Sequence, residues 1–338
     1  MAAHDPVEYV ADLLGCGVAV SDGAPIVDLD DASDLLIQLI ERRLTAVHTA
    51  NNGLPLGLLL SGGIDSILVA ACAARLGLRP TAVTVMAMKP GGGTPYQSGD
   101  ERGAAAAAAL GLAHSAVRLT PDDVLVSARD CIPRLGLTEL WEVTSAIPVL
   151  AAIDRLDANG ANGPALSGAG ADALFLGGGV LTSDPQTDEA VEEYRDQVLH
   201  NVRRFFTRAR LIPDYYERLL GSRWHRFVQV FQTISFWQYA QLIHPTLLWR
   251  AGPDGRTYDK YVLRYSAHRL GVSEKLAFTA KEPLQVSSGM VAALMYCARR
   301  ELSGRAANRT YADPMVEPDE HTAVRWYLEQ VSRERDNE

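Results

Sequence analysis

Two stretches of this 338-residue sequence combine glycine, serine and aspartate directly after a short apolar run. The first is Leu58-Leu-Leu-Ser-Gly-Gly-Ile-Asp-Ser66. Two glycines allow a turn that points backbone N–H groups into one concavity, and the N-terminus of a following helix adds partial positive charge there. Ser61 and Ser66 can donate hydroxyl hydrogen bonds to the same anion. The stretch therefore predicts a binding site for phosphate groups.

The acidic residue of this first stretch adds a second expectation. Asp65 would be repelled by a bare phosphate, so its presence predicts a Mg²⁺ ion between the carboxylate and the phosphates. An ordinary glycine-containing turn between a strand and a helix is the alternative interpretation, and it leaves the aspartate and both serines without a role. The spacing also differs from G-x-x-x-x-G-K-[ST], the phosphate loop of enzymes that break the β–γ bond of ATP. Transfer of a γ-phosphoryl group is therefore not expected.

The second stretch is Ala165-Leu-Ser-Gly-Ala-Gly-Ala-Asp-Ala-Leu-Phe175, again an apolar run followed by small residues and an acid. By itself it is only moderately specific, because many α/β proteins have small residues in a turn between a strand and a helix.

Alternating strands and helices are predicted around both stretches. An apolar run predicts a buried strand at 56–60, a second predicts a strand at 81–87, and further strands are expected at 114–119 and 164–167. Helices are predicted at about 67–76, 100–110 and 147–157. Thr120 is expected to cap a further helix, with Pro121 at its first position. An earlier helix has apolar residues at spacings of three and four, with Asp34 as its expected cap; these residues are Leu35, Leu36, Leu39, Ile40 and Leu44. Strands that alternate with helices favour an α/β fold, a parallel sheet with helices on both faces.

The second half of the sequence is predicted to be mainly helical. One amphipathic stripe consists of Val191, Tyr194, Val198, Val202 and Phe205, and a second of Phe227, Val230, Phe231, Ile234 and Trp237. The expected organisation is an N-terminal segment and helix at 1–50, an α/β core at 51–182, a mainly helical substrate-binding region at 183–331 and a frayed tail at 332–338.

Composition narrows the function classes. Lys plus Arg number 32 and Asp plus Glu 41, a net charge of −9, which argues against a nucleic-acid binder. The four cysteines form no C-x-x-C pair and indicate neither a disulfide scaffold nor a local zinc site. The sequence shows neither a signal-peptide pattern nor an apolar run of membrane-spanning length. A cytoplasmic protein without a membrane partner is expected.

The first stretch resembles the PP-loop of the ATP pyrophosphatase superfamily, which cleaves ATP between the α and β phosphates. Together, the two stretches resemble the synthetase domain of the asparagine synthetase family, to which the β-lactam synthetases are related. Further matches are Asp100-Glu101 at the start of an alanine-rich helix ending in Leu110-Gly-Leu-Ala-His114, Tyr258-Asp-Lys-Tyr-Val-Leu-Arg264, and Lys281-Glu-Pro-Leu-Gln285. The resemblance covers roughly Ser33 to Gly289 and implies a PP-loop fold that binds ATP and Mg²⁺.

The resemblance also implies roles for individual residues. Lys281 would stabilise the negative charge that develops on the α-phosphate and the leaving pyrophosphate; a solvated surface lysine is the alternative. The implied binding residues are Leu59 and Met86 beside the adenine, Ser167 and Gly168 on the nucleotide, Ser61, Gly62, Gly63, Asp65 and Ser66 on the pyrophosphate, and Asp65 and Asp172 on Mg²⁺.

Two departures from the family pattern bear on the reaction. Glutamine-dependent members have an N-terminal glutaminase domain whose nucleophilic cysteine follows Met1, whereas this sequence has Ala2 and only 60 residues before Ser61. Ala169 stands where asparagine synthetases have a catalytic Glu and β-lactam-forming synthetases a Tyr, and alanine cannot accept a proton. The adenylating half-reaction is therefore expected to be intact and the second half-reaction to be altered.

The residue that would replace the catalytic Glu or Tyr missing at Ala169 is less clearly indicated. Glu142 lies in Leu140-Trp-Glu-Val-Thr144, a stretch that approaches the acyl substrate in the family, although it could equally be a carboxylate at a helix start. His200, His225, His244 and Cys131 are further candidates, each more typical of a surface or core position.

The leading hypothesis is an ATP-dependent carbon–nitrogen ligase. It would activate a carboxylate as its acyl-adenylate, and ammonia or an amine would then displace AMP. The alternatives are an adenylating sulfurtransferase and a nucleotide-binding homologue without turnover. The expected partners are a small carboxylate and its nucleophile, and a separate glutaminase or carrier partner stays open.

Overall fold

The computed structural model of the chain describes residues 7–14, 23–97, 99–280, 283–306 and 322–335. Its centre is a five-stranded parallel sheet with the order β3-β2-β1-β4-β5. The strands are β1 (Gly57–Leu59), β2 (Thr81–Ala87), β3 (His114–Leu119), β4 (Ala165–Ser167) and β5 (Phe227–Gln229). A two-stranded antiparallel ribbon of β6 (Arg250–Ala251) and β7 (Thr257–Tyr258) lies apart from this sheet.

Fifteen helices are present in the described residues. They are α1 (Val10–Leu13), α2 (Leu29–Ala50), α3 (Ile64–Arg75), α4 (Gly99–Ala109), α5 (Pro121–Leu135), α6 (Leu140–Ala158), α7 (Ala171–Leu174), α8 (Asp188–Phe205), α9 (Tyr215–Leu220), α10 (Ile234–Leu242), α11 (Tyr261–Arg269), α12 (Glu274–Ala277), α13 (Leu284–Ser287), α14 (Met290–Ala306) and α15 (Thr322–Arg335). Short 3-10 turns cover Gly221–Arg226 and Pro245–Leu247.

The apolar core forms two clusters, one on each face of the sheet. Residues of α2, α3, α8, α10 and α11 pack on one face, and residues of α5, α6, α9, α14 and α15 pack on the other. Strands β1, β2, β4 and β5 are mostly buried, and β1 and β2 appear in the sequence as apolar runs without regular alternation. The edge strand β3 is partly exposed along its length and contains polar residues. The α/β fold with helices on both faces and a mainly helical second half agrees with the sequence-based prediction.

The strand order determines where a ligand can bind. From β1 the chain proceeds outward through β2 to β3, then returns to place β4 on the other side of β1. In an open parallel sheet, such a reversal leaves a crevice beyond the carboxyl ends of the two central strands. The loops that follow β1 and β4 contain the two glycine- and aspartate-containing stretches.

The largest correction to the predicted elements concerns β5. Phe227, Val230, Phe231, Ile234 and Trp237 do not form one helix, because Phe227–Gln229 is the edge strand beside β4 and α10 begins only at Ile234. Their spacing of three and four resembles a helix because the strand and the turn after it also bury their apolar side chains. The parallel sheet thus takes its fifth strand from the part of the chain that was expected to be helical.

Smaller corrections concern caps and ends. Asp28, not Asp34, caps α2, and its carboxylate accepts hydrogen bonds from the amides of Asp30 and Asp31. Asp34 lies within α2 and pairs with Arg269. The helix expected at 147–157 begins seven residues earlier, at Leu140.

Three further predictions concern the end of α8, the C-terminal tail and the cap of α5. Phe205 ends the α8 stripe 40% exposed, unlike the four apolar residues before it, which are buried. Residues 332–335 of the expected tail belong to α15, while residues 336–338 lie outside the described part of the chain. The cap of α5 is confirmed, because Thr120 and Asp123 form a reciprocal capping box with Pro121 at the first helical position.

None of the helices in the described ranges is by itself long and apolar enough to cross a membrane. By length and composition alone, α5 and α6 pass such a test together, as a pair bent by 108°.

Candidate active site

The loop after β1 has the geometry expected of an anion-binding turn. Gly62 adopts a φ of +76°, which favours glycine, and α3 begins two residues later. Gly63 caps α3 without a side-chain acceptor, so the first-turn N–H groups of this helix are not capped by a side chain. The Ser66 hydroxyl donates to the Gly63 carbonyl at 2.9 Å and lies 3.3 Å from the Ser61 hydroxyl. The Gly63 amide donates to the Ser61 hydroxyl at 3.4 Å, so both serine hydroxyls lie beside the Gly63 backbone.

The loop after β4 is built differently. Gly170 has a φ of +97° and precedes the four-residue helix α7, which contains Asp172. The Ser167 hydroxyl donates to the Val228 carbonyl of β5 at 3.2 Å, so this side chain is tied to the neighbouring strand. Asp172 is more than half exposed, in contrast to the nearly buried Asp65.

The two loops touch each other. Leu59 of β1 and Ser167 of β4 are register partners, so the two loops begin at the same level of the sheet. At Gly168 an added Cβ would lie 2.7 Å from the Ser66 amide nitrogen and 2.8 Å from the Asp65 Cβ. The sequence suggested two separate binding elements, and the fold joins them into one surface.

Lys260 connects the two acidic residues of these loops. Its ammonium group donates to Asp65 Oδ1 at 2.8 Å, also forms an ion pair with Asp172, and is fully buried. Lys260 occurs in the family-like stretch Tyr258–Arg264, yet sequence reasoning gave it no role. A usable signal was its residue type, because only four of the 32 basic side chains are lysines: Lys89, Lys260, Lys275 and Lys281.

Close packing surrounds this lysine. At Gly177 an added Cβ would collide with the Asp172 carboxylate and the end of the Lys260 side chain, so both side chains would have to shift. Lys260 itself has a φ of +48°, a conformation that costs a non-glycine residue about 1–2 kcal/mol. The surrounding contacts therefore hold the lysine in a conformation it would not adopt freely.

A buried arginine fixes the backbone next to Lys260. Arg264 donates to the Asp259 carboxylate at 2.7 Å, and to the carbonyls of Ala277 and Thr279 at 2.9 and 2.8 Å. Asp259 also accepts the Gly178 amide at 2.9 Å. Burial by itself raises the pKa of Asp259, but these hydrogen bonds, with the charges of Arg264 and Lys260, outweigh it and lower the pKa.

Asp65 and Asp172 are suitable in type for a magnesium ion. Carboxylate oxygens are the ligands that Mg²⁺ prefers, and Mg²⁺ commonly takes its remaining ligands from phosphates and water. Within the described ranges, no group of three or more His, Cys, Asp or Glu side chains is placed to hold a metal ion. The pair fits an ion that arrives with a phosphate ligand better than one held by protein groups alone.

The two residues expected beside the adenine lie on different faces of the sheet. Leu59 pairs in register with Val83, and Val83, Val85 and Ala87 face the cluster of α5, α6 and α14. Met86 is offset by one from these residues and so faces the opposite side, and it is almost fully buried. Leu59 is partly exposed at the carboxyl edge, whereas Met86 is buried, and contact of either residue with an adenine stays a prediction.

Glu142 is already engaged in an ion pair. Its two carboxylate oxygens accept from Arg210 Nη2 at 2.8 and 2.9 Å, and the Arg210 guanidinium lies over the Tyr215 ring. The Tyr215 hydroxyl donates to the Glu142 carbonyl at 2.9 Å. Glu142 lies in the first turn of α6, where its carboxylate is held by the contact with Arg210.

Lys281 lies outside the described residues, but the segments on either side of it are fixed. Arg264 binds the carbonyls of Ala277 and Thr279 before it. After it, Gln285 donates to the Ser145 hydroxyl of α6 at 2.6 Å, and the Ser288 carbonyl accepts the Ala87 amide at the end of β2 at 2.7 Å. The two contacts that follow Lys281 are made with the start of α6 and the end of β2, which border the carboxyl edge of the sheet.

The remaining candidates occupy other parts of the fold. His225 comes just before β5, at the amino end of that strand, and His200 lies on α8. The His244 ring bonds the Thr246 hydroxyl, and burial lowers its pKa. Cys131 is fully buried within α5, and burial raises its pKa to about 12.

Comparison with known proteins decides the family. Residues 43–252 match the sequence model of the family described as asparagine synthase, which covers more than half of the chain and includes both loops. The chain belongs to the asparagine synthase family. Membership of this family supports an ATP-utilising ligase that amidates or adenylates its substrate.

Two further comparisons accompany the family match. No curated protein is significantly similar to the chain in sequence. Among solved structures, the NMN synthetase from Francisella tularensis is similar at 16% identity, with a TM-score of 0.32, over 76% of this chain and 99% of that one.

Proposed function

We propose that this asparagine synthase family protein joins a carboxylate to ammonia or an amine through an acyl-adenylate. A carboxylate oxygen of the substrate would attack the α-phosphorus of ATP, and pyrophosphate would leave. The nitrogen nucleophile would then attack the activated carbonyl, lose a proton and release AMP, which leaves an amide.

The supporting observation is the contact between the two loops at Gly168 and Ser66. It places the turn from Ser61 to Ser66 beside the small residues after β4, at the strand reversal where α/β sheets bind ligands. The β- and γ-phosphates would bind the first turn, through its amides and the hydroxyls of Ser61 and Ser66. The nucleoside would extend past Leu59 towards Ser167 and Gly168.

Asp65 and Asp172 would hold Mg²⁺ together with the phosphates. When bound, the ion neutralises charge on the pyrophosphate leaving group. Lys281 would add a second positive charge at the α-phosphate, which is worth most when water is excluded from the closed site. The anchored segments around it, at Thr279 and Gln285, support this assignment.

Glu142 is the proposed acidic residue for the second half-reaction. It lies at the start of α6, one turn before Ser145, which binds the segment that follows Lys281. Its ion pair with Arg210 would keep the carboxylate oriented until the amine arrives. Ala169 provides no such group, so the second step depends on residues outside the loop.

The experiment separates the two half-reactions. Exchange of labelled pyrophosphate into ATP, measured with a panel of carboxylic acids and without an amine, reports adenylation alone. We expect acid-dependent exchange, and AMP with pyrophosphate as products once ammonia or an amine is added. Formation of ADP and phosphate would contradict the proposal.

A matched pair of lysine variants sharpens this test. Lys281→Ala should abolish the exchange, while Lys275→Ala, which removes an exposed lysine on α12, should keep it. Equal exchange in both variants would remove Lys281 from the mechanism.

A further inference from the structure

The ammonium group of Lys260 lies between the two carboxylates that the proposed function assigns to Mg²⁺. We propose that Lys260 is a tethered cation that occupies this position in the nucleotide-free protein and excludes a divalent metal until ATP binds. This inference rests on the proposed function for the assignment of Asp65 and Asp172 as metal ligands. It concerns the order of binding, which the reaction scheme leaves open.

The contacts of Lys260 support a built position. Its ammonium group meets Asp65 Oδ1 at 2.8 Å and also pairs with Asp172, and its side chain has no exposed surface. An ammonium has three N–H donors and no acceptor, so it suits a site made of two carboxylate oxygens. A buried ammonium without these partners would be strongly unfavourable.

The surrounding backbone shows that this position is specified. Gly177 packs against the Lys260 Cε and the Asp172 carboxylate, and a Cβ added at this position would displace both side chains. The φ of +48° at Lys260 and the Arg264–Asp259 pair beside it direct the side chain inward. The backbone conformation is sparsely populated by non-glycine residues, and such conformations cluster at functional sites.

Charge explains why the lysine and the metal would exclude each other. Two carboxylates and one ammonium leave a net charge of −1 at the site. A divalent ion bound to the same two oxygens would stand within a few ångströms of the ammonium, and like charges repel strongly where water is scarce. With the ion added, the site would have a net charge of +1, which the polyphosphate of ATP would neutralise, so metal and nucleotide should arrive together.

Asp65 and Asp172 would be the only protein ligands available to a metal at this position in the described part of the chain. Within the described residues, no third carboxylate or other metal-binding side chain joins Asp65 and Asp172. A metal bound without nucleotide would therefore have two protein ligands and would have to compete with an intramolecular cation.

The test uses Mn²⁺ alone, without nucleotide or substrate. Free Mn²⁺ is measured by electron paramagnetic resonance while full-length protein is titrated in. We expect Lys260→Met to bind one Mn²⁺ at least tenfold more tightly than wild type does. The matched control is Lys275→Met, which makes the same change of net charge at an exposed position and should behave as wild type.

Every outcome of this comparison is informative. The proposal would be overturned if wild type bound Mn²⁺ as tightly as Lys260→Met does, with or without the same affinity in Lys275→Met. Loss of the gain in Lys260→Met/Asp65→Asn would confirm the location of the ion. If circular dichroism shows that Lys260→Met is unfolded, Lys260→Gln makes the same comparison, since its amide still donates to Asp65 without a charge.

The experiment is independent of catalysis. Because it needs no turnover, absence of adenylation with every acid would defeat the proposed function and leave the Mn²⁺ result interpretable. Conversely, unchanged Mn²⁺ binding with normal pyrophosphate exchange would defeat this inference alone.

Discussion

Gly168 and Ser66 are in direct backbone contact, although they belong to loops that follow different strands. A Cβ added at Gly168 would lie 2.7 Å from the Ser66 amide nitrogen. Backbone atoms cannot rotate away as the end of a flexible side chain can. The glycine therefore sets how closely the second loop approaches the turn from Ser61 to Ser66.

Gly168→Ala should separate the two loops. We expect ATP affinity to fall at least tenfold and the free energy of unfolding to fall by about 1–3 kcal/mol, because the added methyl group overpacks a rigid contact. Isothermal titration with ATP and denaturant unfolding measure the two effects. The control is Gly93→Ala, where an added Cβ would meet no atom within 4 Å. ATP affinity equal to that of the control would contradict the argument.

The ionised Asp259 carboxylate should stabilise the folded protein at neutral pH and lose this effect in strong acid. Its pKa in the folded protein is lowered, so its stabilisation is fully present above its unfolded value of about 3.9 and is lost as the pH falls through the lower folded value. Asp259→Asn removes this dependence. Between about pH 4 and pH 2, the variant should lose stability with falling pH less steeply than wild type does.

Unfolding midpoints measured across that pH range check the Asp259 prediction. Asp130→Asn, which removes an exposed carboxylate of α5, is the control and should follow wild type. Parallel pH profiles for wild type and Asp259→Asn would show that the contact with Arg264 does not survive in solution.

The Glu142–Arg210 pair should show energetic coupling in a double-mutant cycle. Both side chains are only 16% exposed, so removing one partner leaves a poorly solvated charge, at a cost of about 1–3 kcal/mol. Glu142→Gln and Arg210→Met together should cost less than the sum of the single changes. The Glu41–Arg75 pair, whose arginine is 53% exposed, is the comparison and should couple by less than about 1 kcal/mol.

The catalytic assignment of Glu142 needs a different measurement. If Glu142 acts in the second half-reaction, Glu142→Gln should keep pyrophosphate exchange within about tenfold of wild type and reduce amide formation by about 10²-fold or more. A parallel loss of both activities would indicate that the carboxylate only supports the structure.

The described cysteines should be poor nucleophiles. Burial raises the pKa of Cys131 to about 12 and that of Cys297 to about 11, and it also raises the pKa of Cys72. At pH 8 a thiol with a pKa of 12 has roughly a thousandfold less thiolate than an ordinary cysteine. This argues against sulfur transfer through these three residues.

Labelling with a thiol reagent tests that expectation in a Cys16→Ala background, since Cys16 lies outside the described residues. The folded protein should react at least a hundredfold more slowly than the same protein in urea. Rapid labelling of Cys131, together with lost turnover in Cys131→Ala, would revive the sulfurtransferase alternative.

Much of the architecture could be predicted from local sequence patterns. The strand at Thr81–Ala87 is predicted with its observed bounds because it is an apolar run. The strand at His114–Leu119 is also predicted with its observed bounds, between the end of one helix and the cap of the next. The cap at Thr120 and the turn at Ser61–Ser66 also depend on neighbouring residues only. Such features are determined by backbone preferences within a few positions.

Other features depend on contacts between distant residues. Phe227–Gln229 is a strand because β4 lies beside it, and three apolar residues cannot distinguish a strand from part of a helix. The positions of Leu59 and Met86 on opposite faces follow from the pairing of Leu59 with Val83.

The sequence by itself determined the α/β class, the two loops with their glycines and acids, and the family to which they point. Only the tertiary structure decided that the loops touch at Gly168 and that Lys260 joins Asp65 to Asp172, across a separation of 195 residues in the case of Asp65. The physical reason is that hydrophobic periodicity and turn chemistry act locally, whereas an ion pair depends on which chain segments the folded core brings together.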